Sequence, residues 1–204
     1  MTTYIPSLTI PSAVLQHPAA SVLLPIALGT AVGFGTRRTR LASASSHNTK
    51  LTVYPATETQ KTYLALKQPP LRPPPWLFGP VWTVIYGIMG YASHRIATIG
   101  LSSISPATVE TAQSSLTLYT VQLGLNLAWM PLFFVAKRPI EASIDIVTLI
   151  GLNGYLAYLW GSIDEVAGWC QVPYLGWLGF ATYLCVGAGY LNGWDLHEKE
   201  VKQE

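Results

Sequence analysis

Five apolar stretches of similar length divide the chain, and polar loops separate them. They cover approximately residues 19–36, 76–99, 111–136, 142–163 and 173–194. Each stretch has close to the ~20 residues that an α-helix needs to cross the ~30 Å hydrocarbon core of a bilayer. The pattern therefore predicts an all-α membrane protein, built as a bundle of five transmembrane helices.

The loops between these stretches differ greatly in length. Residues 37–75 form the one long connection, and its last part, 67–75, holds five prolines that favour an extended conformation. The other connections are short, which makes consecutive helices antiparallel neighbours. We expect an N-terminal segment at 1–18, a membrane domain at 19–195 and a charged tail at 196–204.

Composition supports the bilayer as the solvent for this chain. Half of the 204 residues are hydrophobic and 11% are charged, against roughly 25% charged residues in a soluble domain. The net charge of +2 gives no indication of a nucleic-acid partner. The two cysteines, Cys170 and Cys185, lack the spacing of a metal site or a disulfide framework, so we interpret them as small apolar side chains.

The distribution of Lys and Arg predicts the orientation. In a five-span chain, loop 37–75, the loop around residue 137 and the C-terminal tail share one side of the membrane. Eleven of the twelve basic residues lie on that side, and only Arg95 lies on the other. Basic loops stay in the cytosol, so we expect a cytosolic C-terminus. Residues 1–36 contain no Lys or Arg, which is unlike a signal peptide or a mitochondrial presequence.

Four of the predicted helices carry an aromatic or polar row on one face, because residues three, four or seven apart share a face. The rows are Trp82 and Tyr86; Gln122, Asn126 and Trp129; Asp145, Asn153 and Trp160; and Tyr174, Trp177 and Ala181. Such rows either join helices, at about 0.6 kcal/mol per hydrogen bond, or line a cavity. We favour an aromatic cavity with polar anchors, which suits a flat and largely apolar ligand.

Asp145 lies one turn after Glu141, near the cytosolic end of the fourth stretch. Two interpretations are open. It is either a structural group, as an interfacial anchor or as a partner for Arg or Lys of the long loop, or part of a proton or substrate relay, since ionisable residues inside a membrane are often functional.

Three segments resemble the translocator protein family (TspO/MBR, peripheral-type benzodiazepine receptor). Residues 67–86 read KQPPLRPPPWLFGPVWTVIY, residues 125–134 read LNLAWMPLFF, and residues 173–182 read PYLGWLGFAT. They are similar to the family's motifs at the second, third and fifth helices, in the family's order, and with the five stretches they cover about 20–195.

The resemblance implies a five-helix bundle whose pocket opens toward the cytosol under the long loop and binds porphyrins or heme-like tetrapyrroles, sterols and related lipids. It implies that Trp82 and Trp177 are pocket tryptophans, with Tyr86 on the face of Trp82. It places Asn126 and Trp129 on the third helix and Ala181 one turn after Trp177. It also suggests a homodimer and the mitochondrial outer membrane, with the endoplasmic reticulum as the alternative.

The chain departs from the family pattern at several positions. Leu71 stands where Trp is usual and Pro75 where Gly is common, while Cys185 replaces an Asn. The usual sterol pattern has Leu or Val, then Tyr, then Lys or Arg within five residues. No basic residue follows Tyr190 that closely, so the pattern is missing there. The reversed pattern at residues 61–66 is of a kind that is common by chance.

Two classes of function remain open from the sequence. The first is a receptor or transport-associated protein that binds tetrapyrroles and uses no cofactor, metal or catalytic residue. The four histidines, His17, His47, His94 and His197, lie outside the predicted cavity, and no nucleophile–base pair is indicated. The alternative is an enzyme that degrades porphyrin with light or oxygen, in which Trp82 and Trp177 take part in redox steps. We favour the receptor.

Overall fold

The computed structural model describes residues 3–44 and 66–194, with side chains at 3–36 and 66–194. Within these residues every regular element is helical and no strand occurs, so the all-α prediction is confirmed there. The basic side chains between 37 and 61, the reversed sterol pattern up to residue 65 and the tail beyond 194 lie outside the described residues.

Seven α-helices follow one another along the described part of the chain. They are α1 (Ser12–Gln16), α2 (Pro18–Ala44), α3 (Phe78–Arg95), α4 (Pro106–Met130), α5 (Pro139–Ile163), α6 (Glu165–Trp169) and α7 (Val172–Leu191). A 3₁₀ turn, Pro75–Leu77, leads into α3, and wide π-helical turns at Ile96–Gly100 and Pro131–Val135 extend α3 and α4. The five predicted stretches correspond to α2, α3, α4, α5 and α7, whereas α1 and α6 were not predicted.

Three of these helices are long and apolar enough to cross a membrane by length and composition. They are Pro18–Thr36 within α2, Pro106–Val135 and Pro139–Ile163. The helices α3 and α7 fall short of that standard. Both are rich in Trp, Tyr and Gly, and α3 ends with His94 and Arg95.

Proline positions explain where several helices begin and where one widens. Pro106, Pro139 and Pro173 occupy the first turn of α4, α5 and α7, where the missing N–H has no helical partner to lose. Ser105 precedes α4, and its Oγ accepts a hydrogen bond from the N–H of Thr108. Pro131 cannot donate within α4, and the wide turn begins there.

Helix α5 packs on α4, α6 and α7. Two polar contacts cross the interface between α4 and α5: Asn153 Nδ2 donates to Gln122 Oε1 at 3.3 Å, and Trp160 Nε1 donates to Ser115 Oγ at 3.1 Å. All four side chains are buried. This part of the predicted polar rows therefore joins helices.

The N-terminal segment packs against the end of the bundle where α2 begins. The N–H groups of Ile5 and Ile10 donate to the hydroxyls of Thr117 and Thr120 on α4, at 3.3 and 3.1 Å. Leu15 is fully buried, and its carbonyl lies 2.9 Å from Nδ1 of His94. These contacts cover that end of the bundle.

An ion pair joins α3 to the connection after α5 at the same end. Arg95 donates to both carboxylate oxygens of Asp164, from Nε to Oδ2 and from Nη2 to Oδ1, the second at 3.0 Å. Its guanidinium also lies 5.8 Å from the centre of the Tyr91 ring. The hydrogen bonds from Arg95 hold the pKa of Asp164 below its usual range.

At the opposite end, residues 67–70 form a strap across α7. Asn192 holds the backbone of Lys67 at two points, accepting from its N–H at 3.2 Å and donating to its carbonyl at 2.9 Å. Tyr183 donates to the carbonyl of Pro70 at 2.9 Å. Pro69 is buried beside Gly187, where an added Cβ would lie 2.9 Å from the proline ring.

Leu71, directly after the strap, has a positive φ of 65° and is 84% exposed. A left-handed conformation is unusual for a residue other than Gly, Asn or Asp. At this position, where the family usually has Trp, the side chain therefore points away from the bundle.

Candidate ligand-binding site

Aromatic rings from α3 and α7 form one cluster in the bundle. Trp82 lies at its centre, with ring-centre distances of 5.3 Å to Tyr86, 6.2 Å to Tyr174 and 6.3 Å to Trp177. Phe78 meets Trp177 edge-on at 5.9 Å. Aromatic pairs at such distances stabilise one another, and their faces can stack on a flat ligand.

A single amide links this cluster to α4. The Tyr86 hydroxyl donates to Oδ1 of Asn126 at 2.6 Å, and Nδ2 of Asn126 donates to the Tyr174 hydroxyl at 2.7 Å. All three residues are buried. Tyr86 also packs on α2 at Gly29, where an added Cβ would overlap the tyrosine ring. Four helices therefore fix the position of Tyr86.

The structure brings four of the six sequence-predicted site residues together and places the other two apart. Trp82, Tyr86, Asn126 and Trp177 come together in the cluster. Trp129 instead stacks on Phe133 at 5.2 Å and meets Phe134 edge-on at 6.0 Å, which forms a second aromatic group at the end of α4. Ala181 is half-buried on α7, one turn beyond Trp177. The role of all six as ligand contacts stays a prediction.

Several buried polar atoms near these rings have no hydrogen-bond partner among the described residues. They include the indole nitrogens of Trp129 and Trp177 and the Oδ2 atom of Asp145. Buried donors and acceptors are normally paired, and unpaired ones call for an explanation. Two indole donors and one carboxylate acceptor are the groups here that a ligand's polar atoms could satisfy.

Asp145 is 8% exposed, on the side of α5 that packs against α7. Its carboxylate is close enough to Tyr174 and Cys185 to interact with both electrostatically. Within the described residues, no ion pair joins it to a basic side chain. Among the cations of the long loop, Lys67 and Arg72 are described and neither forms an ion pair with Asp145, so the expected pairing does not occur with these two. The other five basic residues, between 37 and 61, have side chains outside the described residues.

An open apolar groove of about 490 Å³ runs along the outside of the cluster, between α3 and α7. Helix α3 contributes Pro80, Val81, Val84 and Ile85. Helix α7 contributes Pro173, Gly176, Trp177 and Phe180. The groove is shallow and open to the outside of the bundle. Trp177 belongs to both the groove and the inner cluster.

The chemistry that these side chains can perform is stacking, apolar contact and hydrogen bonding. Throughout the described ranges no group of three or more His, Cys, Asp or Glu side chains is placed to hold a metal ion. His94, the described histidine nearest to a predicted row, is engaged with the N-terminal segment through the Leu15 carbonyl.

Sequence reasoning left three members of this region out of the site. Tyr174 was recognised in the row with Trp177 but not assigned to the site, and its contact with Asn126 spans 48 residues of sequence. Phe78 and Phe180 flank Trp177, at 5.9 and 5.7 Å. Phe180 follows Trp177 by three residues, a spacing that indicates a shared face.

A family model and individual relatives both match the chain, and they agree on one family. The family model described as the TspO/MBR family matches residues 21–191. A protein of Schizosaccharomyces pombe named translocator protein homolog is 41% identical over 133 residues, which are 65% of this chain and 79% of the relative. The human translocator protein is 36% identical over 128 residues, 62% of this chain and 72% of its own length.

The similarity extends to an archaeal protein. The tryptophan-rich protein TspO of Archaeoglobus fulgidus is 30% identical over 174 residues, which are 85% of this chain and 95% of that protein. The matched region includes all the rings of the aromatic cluster.

Proposed function

The chain belongs to the TspO/MBR family, and from that premise and the aromatic site we propose that it is an integral membrane receptor that binds tetrapyrroles. The observation that carries the proposal is the Trp82–Trp177 pair, which meets edge to face at 6.3 Å and 86° and so leaves one indole face at a time for a flat ligand, beside the Tyr86–Asn126–Tyr174 hydrogen bonds. Indole faces suit a flat macrocycle, and the unpaired indole N–H of Trp177 offers a donor to its edge.

The proposed membrane arrangement has five crossings, by α2, α3, α4, α5 and α7. The domain that they form extends over residues 19–195, between the N-terminal segment 1–18 and the tail 196–204. Trp, Tyr and Gly in α3 and α7 reduce their hydropathy, yet the same aromatic residues favour the membrane interface and line the site. The C-terminus is cytosolic in this arrangement, and the membrane is the mitochondrial outer membrane, with the endoplasmic reticulum as the alternative.

Heme and porphyrin are the ligands that we propose first. Sterols and other lipids are secondary ligands, because the chain lacks a basic residue soon after Tyr190. A homodimer through α4 is a further proposal. It is supported by Gly124, which is exposed and has open space around it. Absence of a disulfide-linked dimer for Gly124→Cys in lipid, in a variant without the two native cysteines, would contradict it.

The experiment that tests binding is a titration of the purified protein with protoporphyrin, followed by quenching of tryptophan fluorescence. Saturable quenching that weakens in Trp177→Phe supports the proposal. Quenching that is linear in ligand, or identical in the variant, would contradict it.

Enzymatic degradation of porphyrin is the second candidate function, because Trp82 and Trp177 would serve it from the same positions. Illuminating the complex in air and analysing the pigment separates the two functions. A receptor leaves protoporphyrin intact relative to a protein-free control, whereas an enzyme yields a product with turnover.

A further inference from the structure

Contacts among the described residues lie at both ends of the bundle. At the loop end, the strap covers α7 through Asn192, Tyr183 and the buried Pro69. At the other end, the N-terminal segment is hydrogen-bonded to α4, and the Arg95–Asp164 pair joins α3 to the connection after α5. A ligand that came along the bundle axis would have to displace one of these sets of contacts.

The side of the bundle between α3 and α7 is different. These two helices make few close backbone approaches, and the groove of about 490 Å³ lies between them. Its walls are apolar, with exposed Val84 on one helix and exposed Gly176 on the other, and they carry no charged residue. Both walls belong to segments that the proposed arrangement places in the bilayer, so the groove faces hydrocarbon.

One ring is shared by this groove and the inner cluster. Trp177 forms part of the groove wall and also contacts Trp82 and Phe78. The ring is half-buried, and its indole nitrogen has no partner among the described residues. No hydrogen bond described here therefore holds the indole in place, and a rotation of this side chain would join the groove to the cluster.

We propose that flat lipophilic ligands reach the Trp82 cluster sideways from the bilayer, through the groove between α3 and α7, with Trp177 as the gate. The proposal rests on the proposed function and adds the route to it. The occupant of the groove is the incoming ligand itself, dissolved in the membrane. A path through hydrocarbon suits it, because an apolar ring system partitions from water into the bilayer before it binds.

Two glycines on α7 provide a matched test. Gly176 lines the groove and Gly179 does not, yet both are exposed and both have open space where a Cβ would lie. A side chain can begin at either position without a clash at its Cβ, but Gly176→Phe is the change that places a ring in the wall of the groove. Val84→Phe does the same from the opposite wall.

The measurement is stopped-flow quenching of tryptophan fluorescence, with protoporphyrin added to vesicles that contain the parent or a variant. We expect Gly176→Phe and Val84→Phe to slow association and dissociation equally, about tenfold for a barrier raised by about 1.4 kcal/mol. Their Kd stays at the parent value, because a route changes the barrier and leaves the bound state unaltered. Gly179→Phe behaves as the parent does.

A fourth variant tests the competing route from the cytosol. Asn192→Ala removes the two-point hold on Lys67 and loosens the strap. The lateral route predicts an unchanged association rate for this variant. Faster association in Asn192→Ala, or parent-like rates in Gly176→Phe, would overturn the proposal. A parent protein that shows no saturable quenching would instead refute the proposed function, and the route with it.

Discussion

Tyr86 and Asn126 are joined by a hydrogen bond of 2.6 Å between the phenol hydroxyl and Oδ1 of the amide, buried between α3 and α4. The other end of the same amide donates to Tyr174 on α7. The Asn126 side chain thus connects α3, α4 and α7 beside the aromatic cluster. The amide oxygen and the amide N–H of Asn126 both have partners, so the main effect of this side chain is to hold the two tyrosines in position.

Removing either partner of this bond should lower the free energy of unfolding. We expect Tyr86→Phe to cost about 1 kcal/mol and Asn126→Ala about 1–3 kcal/mol, because the second change leaves two buried hydroxyls without partners. Thermal unfolding in detergent, followed by circular dichroism, measures both. Tyr158→Phe, at a position 72% exposed, is the control and should match the parent. Equal stability of Tyr86→Phe and Tyr158→Phe would show that the bond contributes nothing.

The contact between α2 and α3 depends on the absence of a side chain at Gly90. A Cβ there would overlap the carbonyl oxygen of Ser21 and lie 2.7 Å from Cα of Val22, and backbone cannot yield as a side chain can. Gly90→Ala should therefore destabilise the bundle by about 1–3 kcal/mol. At Gly87, one turn earlier, the nearest atom is 3.9 Å away, so Gly87→Ala should be neutral. Thermal unfolding of Gly90→Ala and Gly87→Ala measures the difference. Equal melting temperatures for the two variants would contradict the close packing of α2 on Gly90.

The Arg95–Asp164 pair predicts a pH dependence of stability. Hydrogen bonds from Arg95 hold the pKa of Asp164 below its usual value of 3.8 in the folded protein. The stabilisation is therefore present above the unfolded pKa and is lost as the pH falls through the folded pKa. Asp164→Asn should destabilise the protein at neutral pH, and its difference from the parent should shrink below about pH 4.

The exposed pair of Arg138 and Glu141 is the control for this titration. Exposed pairs contribute about 0–1 kcal/mol, so Glu141→Gln should follow the parent closely over the whole pH range. Melting temperatures measured from pH 3 to pH 7 provide the comparison. If the melting temperature of Asp164→Asn stays equally far below that of the parent at low pH, the ion pair is not the cause of the difference.

The sequence predicted the helices well because membrane helices are local structures with a long apolar signal. Proline positions at 106, 139 and 173 also agree with the starts of α4, α5 and α7. The shared face of Trp82 and Tyr86 followed from helical spacing, and their rings do lie 5.3 Å apart. Such predictions need only the geometry of one helix.

Contacts between distant segments could not be obtained in this way. Trp129 shares a face with Asn126, yet its ring turns to Phe133 and Phe134, which lie within the wide turn that begins at Pro131. The close contact between Pro69 and Gly187 depends on how the long loop returns to α7. The groove likewise depends on the distance between two helices, and helical periodicity contains no information on that distance.

The proposed topology predicts where the two termini lie. With eleven of twelve basic residues on one side, we expect a tag at Glu204 to be accessible from the cytosol and a tag at Thr2 to be protected. Protease treatment of intact organelles, before and after permeabilisation, measures this. Two tags with the same accessibility would require an even number of crossings and would exclude the five-helix arrangement.

The central claim is that tetrapyrroles bind at the Trp82–Trp177 pair, and protoporphyrin affinity in three alanine variants tests it most directly. A stacked aromatic ring contributes about 0.5–1.5 kcal/mol beyond the area that it buries. Trp82→Ala and Trp177→Ala should each raise the Kd roughly tenfold, since 1.4 kcal/mol corresponds to that factor. Trp169→Ala removes the same ring from α6, where it is 65% exposed, and should leave the Kd unchanged. If the Trp82 and Trp177 variants bind as tightly as the Trp169 variant while remaining folded, the ligand does not bind at this pair of rings.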